Sequence, residues 1–386
     1  MPPIRLNRRR FLGCSAAASL AISQGNLSEG AAPEREAAPV RLGVIGIGNR
    51  GTTLLRSLLE LPGTPIVAVC DAEPKHRLRA QGIVEKVRGH RPEAFEDPRR
   101  VLDRPDVEAV VAALPCDLHE PVYRAALLAG KHLYAEKPLA PSLAACDRLI
   151  TCAAAAPRLA VHLGFQRRSN PRFREGVERI HRGELGPLIE ARATWSSSHG
   201  PLTGHGGWLG RRERSGDWMV EQAVHIWDVL YWIQGELPVR ANGWGRRGLF
   251  AGLDPLRDVT DHYAVELEWA DGCRASFVQS WIAPADDGFT GSTLRVLGEE
   301  GGLDFATGAL TFRDRALPRQ TIHAGPQADT RMALEAFLAA VRSDNPPPPP
   351  VTLADARAAT LIGLLARKAV DERRVVTLEE VQSQDA

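Results

Sequence analysis

Apolar positions in the first half of the chain come in short continuous runs, separated by segments of helical spacing. Val40–Ile45, Pro65–Cys70, Val107–Leu114, His132–Ala135 and Leu159–Leu163 read as buried strands. Between them, Thr52–Leu61, Glu73–Arg88, Glu120–Ala129 and Ser142–Ala155 follow helical patterns. Runs that are apolar throughout belong to strands covered on both faces, and strands alternating with helices give a parallel sheet with crossover helices. The pattern predicts an α/β domain over residues 40–164.

After residue 164 the pattern changes. Pro171–Gly183 is a charged helical stretch. Alternating β patterns follow: Leu188–Ser196, Val239–Arg246, His262–Trp269, Arg274–Ser280, Ser292–Leu297 and Ala309–Arg313. Short polar turns such as Ala270-Asp271-Gly272 join them, which predicts an open, mostly antiparallel sheet with one uncovered face. Residues 165–386 are therefore expected to form an α+β domain. Pro346–Pro350 is a stiff connector within it, and a last helix, Leu353–Glu372, packs back on the body.

The first strand runs into Gly46-Ile47-Gly48-Asn49-Arg50-Gly51 and then directly into a helix. In a dinucleotide-binding turn, Gly46 makes the tight bend, Gly48 lets the backbone approach a pyrophosphate, and Gly51 lets helix pack on strand. The first helix amides and the helix dipole favour the phosphate charge. Asp71 closes the second strand twenty residues after Gly51, the spacing at which a carboxylate meets the adenosine ribose hydroxyls. An acid there repels a 2′-phosphate, so NAD is expected over NADP; Arg50, Lys75 and Arg77 keep NADP possible. The first domain thus reads as a Rossmann NAD(P)-binding domain. Ligands in such sheets bind beyond the carboxyl ends of the strands, where Pro115–His119 and Glu136-Lys137-Pro138 sit.

The second half carries its chemistry in Ser215–Trp232. On one continuous helix, Glu221, His225, Asp228 and Trp232 share a narrow stripe. A carboxylate one turn before a histidine can orient the imidazole, and the imidazole can take a hydroxyl proton while hydride leaves the adjoining carbon. Trp195, Trp208, Trp218, Trp227 and Trp232 gather near this stretch. Tryptophan faces stack on sugars, and equally fill cores. The loop from Ser197 to Arg214, with His199, His205, Trp208, Arg211 and Arg212, reads as a substrate lip.

Bulk properties narrow the picture. At 386 residues the chain can bury two cores. A formal charge of +1 supplies no basic stripe, so no nucleic-acid partner is expected. Cys14, Cys70, Cys116, Cys146, Cys152 and Cys273 show no CxxC spacing and no dense framework; Cys70, Cys146 and Cys152 read as buried thiols. Arg8, Arg9 and Arg10 precede a weakly apolar run, Phe11–Ile22, too short for a stable membrane anchor. Residues 1–32 resemble a twin-arginine signal peptide, with 33–39 as linker. Such a signal sends a folded, cofactor-loaded protein through the twin-arginine export machinery, so a periplasmic or otherwise exported location is expected.

Gly46-x-Gly48-x-x-Gly51, the strand ending in Asp71, the Pro115…His119 turn and above all Glu136-Lys137-Pro138 resemble the Gfo/Idh/MocA family, that of glucose–fructose oxidoreductase and inositol dehydrogenase. The resemblance runs from about residue 40 to the C-terminus. It implies that Lys137 and His225 meet at the nicotinamide and the substrate hydroxyl, with Glu221 as the third catalytic residue. The family usually has Asp four residues before the histidine. Glu221 adds a methylene, which leaves open whether it orients His225 or touches substrate. The expected cofactor contacts are Gly46, Gly48, Asn49, Arg50, Gly51, Asp71, Pro115, His119, Glu136, Lys137 and Arg167; the expected substrate contacts are Arg168, in a segment that resembles one contacting nicotinamide or substrate in the family, Asp228 of the helix stripe, and His199 and Trp208 of the loop. The open sheet face is expected to build a homodimer or homotetramer.

The function expected is an exported NAD(P)-dependent oxidoreductase acting on a secondary hydroxyl of a sugar, polyol or glycoside. Three alternatives stand beside it. One is a glycoside hydrolase or lyase that uses bound NAD transiently. Another is a non-catalytic sugar- or cofactor-binding protein. The third is a metal site of Glu221 and His225 with His199 or His205, for which the i, i+4 spacing suffices but a certain third ligand is lacking.

Overall fold

The apolar runs of the first half pair side by side. The structure is a computed structural model that describes residues 38–201, 205–323, 325 and 329–383. The expected twin-arginine signal, and the linker up to residue 37, lie outside the described residues. The first half contains β1 (Leu42–Ile45), α1 (Asn49–Leu59), β2 (Ile66–Cys70), α2 (Pro74–Arg88), β3 (Glu93–Phe95), α3 (Arg99–Leu102), β4 (Ala109–Ala112), α4 (His119–Leu128), β5 (His132–Ala135), α5 (Leu143–Ala154) and β6 (Val161–Leu163). The six strands are parallel in the order β3-β2-β1-β4-β5-β6. Val44 of β1 pairs with Val69 of β2 on one side and Val111 of β4 on the other. Every residue of β1 and β4 is buried, as helices on both faces require. Strand order reverses between β1 and β4, and the crevice at such a point is where doubly wound sheets take ligands.

The second half contains α6 (Pro171–His181), β7 (Leu188–Ser196), α7 (Arg212–Ser215), α8 (Trp218–Glu221), α9 (Val224–Gln234), β8 (Arg240–Arg247), β9 (Thr260–Glu268), β10 (Arg274–Ser280), β11 (Gly291–Gly298), β12 (Gly301–Asp304), β13 (Ala309–Phe312), β14 (Gln320–Thr321), α10 (Asp329–Val341), α11 (Leu353–Glu372), β15 (Val376–Thr377) and α12 (Leu378–Gln382). Its strands form a nine-stranded sheet, β14-β13-β12-β11-β7-β10-β9-β8-β15. All its pairs are antiparallel except β7 with β10, where Ala191 faces Ala275 and Ala193 faces Phe277. These residues are buried on the face where Trp227 of α9 meets Phe277 edge-on at 5.0 Å. Arg192, Thr194, Arg274 and Arg295 are exposed. Among the described residues no helix is long and apolar enough to cross a membrane.

Two expectations need correction. The first domain does not close at residue 164. Ala333, Leu334, Phe337 and Leu338 of α10 are buried among Leu42, Val44, Leu54 and Leu58, and Phe337 meets Tyr134 at 5.8 Å and His162 at 5.6 Å. An amphipathic helix from the last quarter of the chain thus covers the sheet beside α1, and Pro346–Pro350 carries the chain on to α11. The second correction is local. The single helix expected to carry Glu221, His225, Asp228 and Trp232 is broken, because α8 stops at Glu221 and α9 starts at Val224.

Candidate active site

The glycine turn has the shape its sequence implies. Gly46 has a φ of +82°, and a Cβ there would lie 2.1 Å from the Ala113 carbonyl oxygen. A Cβ on Gly51 would lie 1.8 Å from the Gly46 oxygen. Only glycine permits so tight a strand-to-helix passage. Gly48 caps α1 without a side-chain bond to its first amides, which leaves those donors for an anion. Asp71 stands beside the turn. Its Oδ2 accepts from the Ile47 amide at 2.6 Å, and its Oδ1 accepts from the Glu73 amide at 2.9 Å and lies 3.1 Å from His76 Nδ1. Asn49 is exposed at the start of α1. A helix N-terminus free of side-chain caps, a turn with no room for Cβ and an acid at the next strand end together fit a bound dinucleotide.

Other expected cofactor contacts are engaged elsewhere. Arg50 Nε donates to Glu136 Oε1 at 2.7 Å, and its Nη1 donates to Thr330 Oγ1 of α10 at 3.0 Å. Its Nη2 is buried without a partner among the described residues. Glu136 is itself buried, and Gly164 passes so close that a Cβ there would be 2.7 Å from the carboxylate. His119 is fully buried. Its Nδ1 lies 2.7 Å from the Pro138 oxygen and its Nε2 2.9 Å from the Leu114 oxygen, while its ring stacks on Tyr123. Burial pulls its pKa down, so the ring is neutral and its one N–H serves one carbonyl at a time. His119 therefore pegs the loops after β4 and β5 together. Pro115 opens the 3-10 turn Cys116–Leu118 between them.

Lys137 follows Glu136 and is joined to Pro138 by a cis peptide bond. Its Nζ donates to the Glu221 carbonyl oxygen and to Glu221 Oε1, both at 2.6 Å. The break between α8 and α9 makes this possible. In an unbroken helix the Glu221 carbonyl would accept from the His225 amide; here that amide goes to the Gln222 oxygen at 3.3 Å. Glu221 thus turns to Lys137 and does not orient His225, whose Nδ1 is buried without a partner among the described residues. The break between α8 and α9 takes Glu221 off the helix that carries His225.

His225 packs against Phe165 and Trp195, each with its ring centre 6.0 Å away. Burial depresses its pKa well below 6.5, and the charges of Lys137, Arg167 and Arg50 push the same way. Three cations from both domains thus act on one neutral imidazole. Asp117, in the turn after β4, adds a further tie between domains through Arg214 of α7 at 3.0 Å.

The expected substrate contacts divide. Arg168 and Asp228 are buried against each other, with Nη2 and Oδ1 2.8 Å apart, and Arg168 also reaches Asp355 at 3.4 Å. The Trp232 ring covers the guanidinium at 5.2 Å. Burial raises Asp228 to about 6 against the pull of Arg168. This pair braces α9 and α11. His199 is exposed, with Nδ1 2.9 Å from Ser197 Oγ. Trp208 is half-buried in the turn His205–Gly210; the His205 side chain lies outside the described residues. Trp218 and Trp227 are core residues, the former tilted against Trp281 with ring centres 4.4 Å apart. Among the described residues no three His, Cys, Asp or Glu side chains are arranged to hold a metal.

Comparison with known proteins accounts for both halves. The profile of an oxidoreductase family with an NAD-binding Rossmann fold matches residues 40–165, and that of the GFO/IDH/MocA C-terminal domain matches residues 173–304. The chain belongs to the Gfo/Idh/MocA oxidoreductase family. Within it, the chain is similar to the myo-inositol 2-dehydrogenase of Thermotoga maritima, 26% identical over 358 residues that span 89% of this chain and 99% of the relative. It is also similar to a glycosyl hydrolase family 109 protein of Shewanella amazonensis, 33% identical over 153 residues, 35% of this chain and 34% of the relative. The structure of levoglucosan dehydrogenase in complex with NADH superposes with a TM-score of 0.73 over 88% of this chain and 99% of its own, at 21% identity, a likeness of fold.

For this Gfo/Idh/MocA enzyme, sequence reasoning missed Thr330, Asp117 and Arg214. Thr330 is more than two hundred residues from Arg50 and carries no local pattern that links the two. Asp117 and Arg214 lie inside segments that the sequence did single out, yet nothing in either stretch indicates that they meet.

Proposed function

We propose that this chain is an exported NAD(P)-dependent oxidoreductase that oxidises or reduces a secondary hydroxyl of a sugar, polyol or glycoside, with Lys137 and His225 handling the hydroxyl proton. The observation that carries the reading is the grip of Lys137 on Glu221 across the two domains. An ammonium has three donors; two are on Glu221, and the third is free for a substrate oxygen. Bound NAD supplies the acceptor for the hydride that leaves the carbinol carbon. His225, held neutral, takes the hydroxyl proton, and Lys137 stabilises the oxygen as it becomes a carbonyl. Glu221 keeps the ammonium aimed and offsets its charge. The alcohol thus gives a ketone, reduced cofactor and one proton. The name of the Thermotoga maritima relative, myo-inositol 2-dehydrogenase, supports a polyol-type substrate. Asp71 favours NAD over NADP by repelling a 2′-phosphate.

The test is NADH formation by the purified chain with myo-inositol and a panel of aldoses. Lys137→Ala and His225→Ala should each lower the rate on the order of a hundredfold or more while NAD still binds. Unchanged turnover in both variants would remove Lys137 and His225 from the proton chemistry, and no NADH formation by the wild type on any of these substrates would leave only a binding protein.

Export rests on Arg8–Arg10 and the short apolar run behind them. Mature protein recovered from the periplasm, with its new N-terminus near residue 32, is expected; retention in the cytoplasm with the leader intact refutes it. Assembly through the uncovered sheet face, as homodimer or homotetramer, is read by light scattering. A monomer at working concentration refutes that.

The match to a glycosyl hydrolase family 109 protein favours a second reading, cleavage of a glycoside with no net redox change. Glycoside cleavage by enzyme alone, without added acceptor, supports it. Steady NADH accumulation supports the first.

A further inference from the structure

A cleft of about 750 Å³ opens on the far side of Arg167 and Trp195 from His225, which is not itself among the lining residues. Its walls come from both domains and include Arg167, Arg172, Phe173, Ser292, Asp329 and Arg331. Arg167 joins the cleft to the chemistry. Its guanidinium lies 5.0 Å from the ring of Trp195, whose ring in turn is 6.0 Å from that of His225. Phe173 covers it at 5.6 Å.

Among the described residues Arg167 pairs with no carboxylate. Among the described residues its one hydrogen-bond partner is Ser292 Oγ, at 3.3 Å. Asp228 and Asp329 act on it only from a distance. The first is bound by Arg168, and the second accepts from Asn170 Nδ2 at 2.7 Å. Burial lowers the pKa of Arg167 to about 10, the mark of a cation with too little compensation. Arg172, nearby, spends its donors on the carbonyls of Phe305, Ala306 and Ile322 and pairs with no carboxylate among the described residues. Arg331 is held by Glu335 at 2.9 Å. Glu60 and Asp329 are the acids of the lining. A partly desolvated guanidinium is costly unless an anion completes it, and its planar fork matches the two oxygens of a carboxylate or phosphate. Trp195 and Phe173 fix the plane of that fork.

We propose that the cleft selects substrates carrying an oxyanion, a sugar or polyol with a carboxylate or phosphate group, and that Arg167 is the residue that receives it. This rests on the hydride-transfer reading for the reaction, and the uncompensated guanidinium carries it independently for the ligand.

The experiment uses the full chain saturated with NAD. Binding is measured by calorimetry and turnover by NADH absorbance for D-glucose, D-galactose, D-glucuronate, D-galacturonate and D-glucose 6-phosphate. At least one anionic sugar should exceed its neutral counterpart on the order of tenfold in affinity, and the uronates against the phosphate tell which group the cleft takes. The preference should shrink with added salt. In Arg167→Gln it should collapse, with NAD affinity held within about twofold, whereas Arg167→Lys should keep part of it. If no anion outbinds its neutral partner, or the preference survives Arg167→Gln, the proposal is overturned. If Arg167→Gln instead weakens NAD on the order of tenfold and leaves the anion preference as it was, Arg167 serves the cofactor and the proposal falls as well. Binding of an anionic sugar through Arg167 without any NADH formation would end the dehydrogenase reading and leave the anion site standing.

Discussion

Lys137 and Glu221 are 2.6 Å apart across the joint between the domains, and the same ammonium also holds the Glu221 main-chain oxygen. The lysine lies just past β5 of the nucleotide-binding sheet; the glutamate ends a four-residue helix of the other domain. Glu221→Gln keeps the acceptors and removes the charge. It should lower kcat/KM on the order of a hundredfold, with NAD affinity within about twofold. Glu221→Asp, which shortens the reach, should fall between. NADH absorbance and calorimetry measure the two quantities, and a Gln variant at full rate would remove Glu221 from the mechanism.

The pH profile should carry the signature of His225. A proton acceptor must be neutral, and its pKa lies well below 6.5. As pH falls through 6.5, kcat/KM should stay level, dropping only at lower pH where the folded-state imidazole charges. Lys137→Met removes one of the cations responsible, so the acid limb should move up. The same depressed pKa stabilises the fold above about 6.5 and loses that contribution as pH falls, because the unfolded chain binds the proton first. An acid limb at or above 6.5 in the wild type would contradict this assignment.

Arg168 and Asp228 should respond asymmetrically. Arg168→Leu strands a fully buried carboxylate and should cost about 3–5 kcal/mol in denaturant unfolding. Asp228→Asn leaves Arg168 with Asp355 and should cost less, about 1–3 kcal/mol. Equal losses would argue against the bracing role.

Two glycines make a matched test. Gly51→Ala forces a Cβ to 1.8 Å from a backbone oxygen and should abolish NAD binding and lower the melting temperature. Gly82, inside α2, has nothing within 4 Å of a Cβ, so Gly82→Ala should stabilise by about 0.5–1 kcal/mol. Thermal unfolding with and without NAD reads both.

Phe337 tests the borrowed helix. It is fully buried between Tyr134 and His162, both on strands of the first sheet. Phe337→Ala should cost about 3–5 kcal/mol and weaken NAD binding, although the residue lies far from the glycine turn in sequence. A loss below about 1 kcal/mol would mean that α10 is only loosely docked.

What the sequence determined by itself is local and periodic. The strands His132–Ala135, Leu188–Ser196 and Arg274–Ser280 run where their patterns put them, because burial on one or both faces writes itself into successive residues. The glycine turn was legible because its three positions meet a steric demand within a few residues of one another. Tertiary structure decided the partnerships. Glu221 lies four residues before His225 and still serves Lys137, since the chain breaks the helix at Gln222 and frees a carbonyl for the ammonium. His119 pairs with the Pro138 carbonyl and Arg168 with Asp228 because a buried polar group must take whichever partner the packing brings, and no spacing rule along the chain records that. Helix α10 joined the first domain for a kindred reason: its apolar stripe specifies that something must cover it, but only the folded chain specifies what.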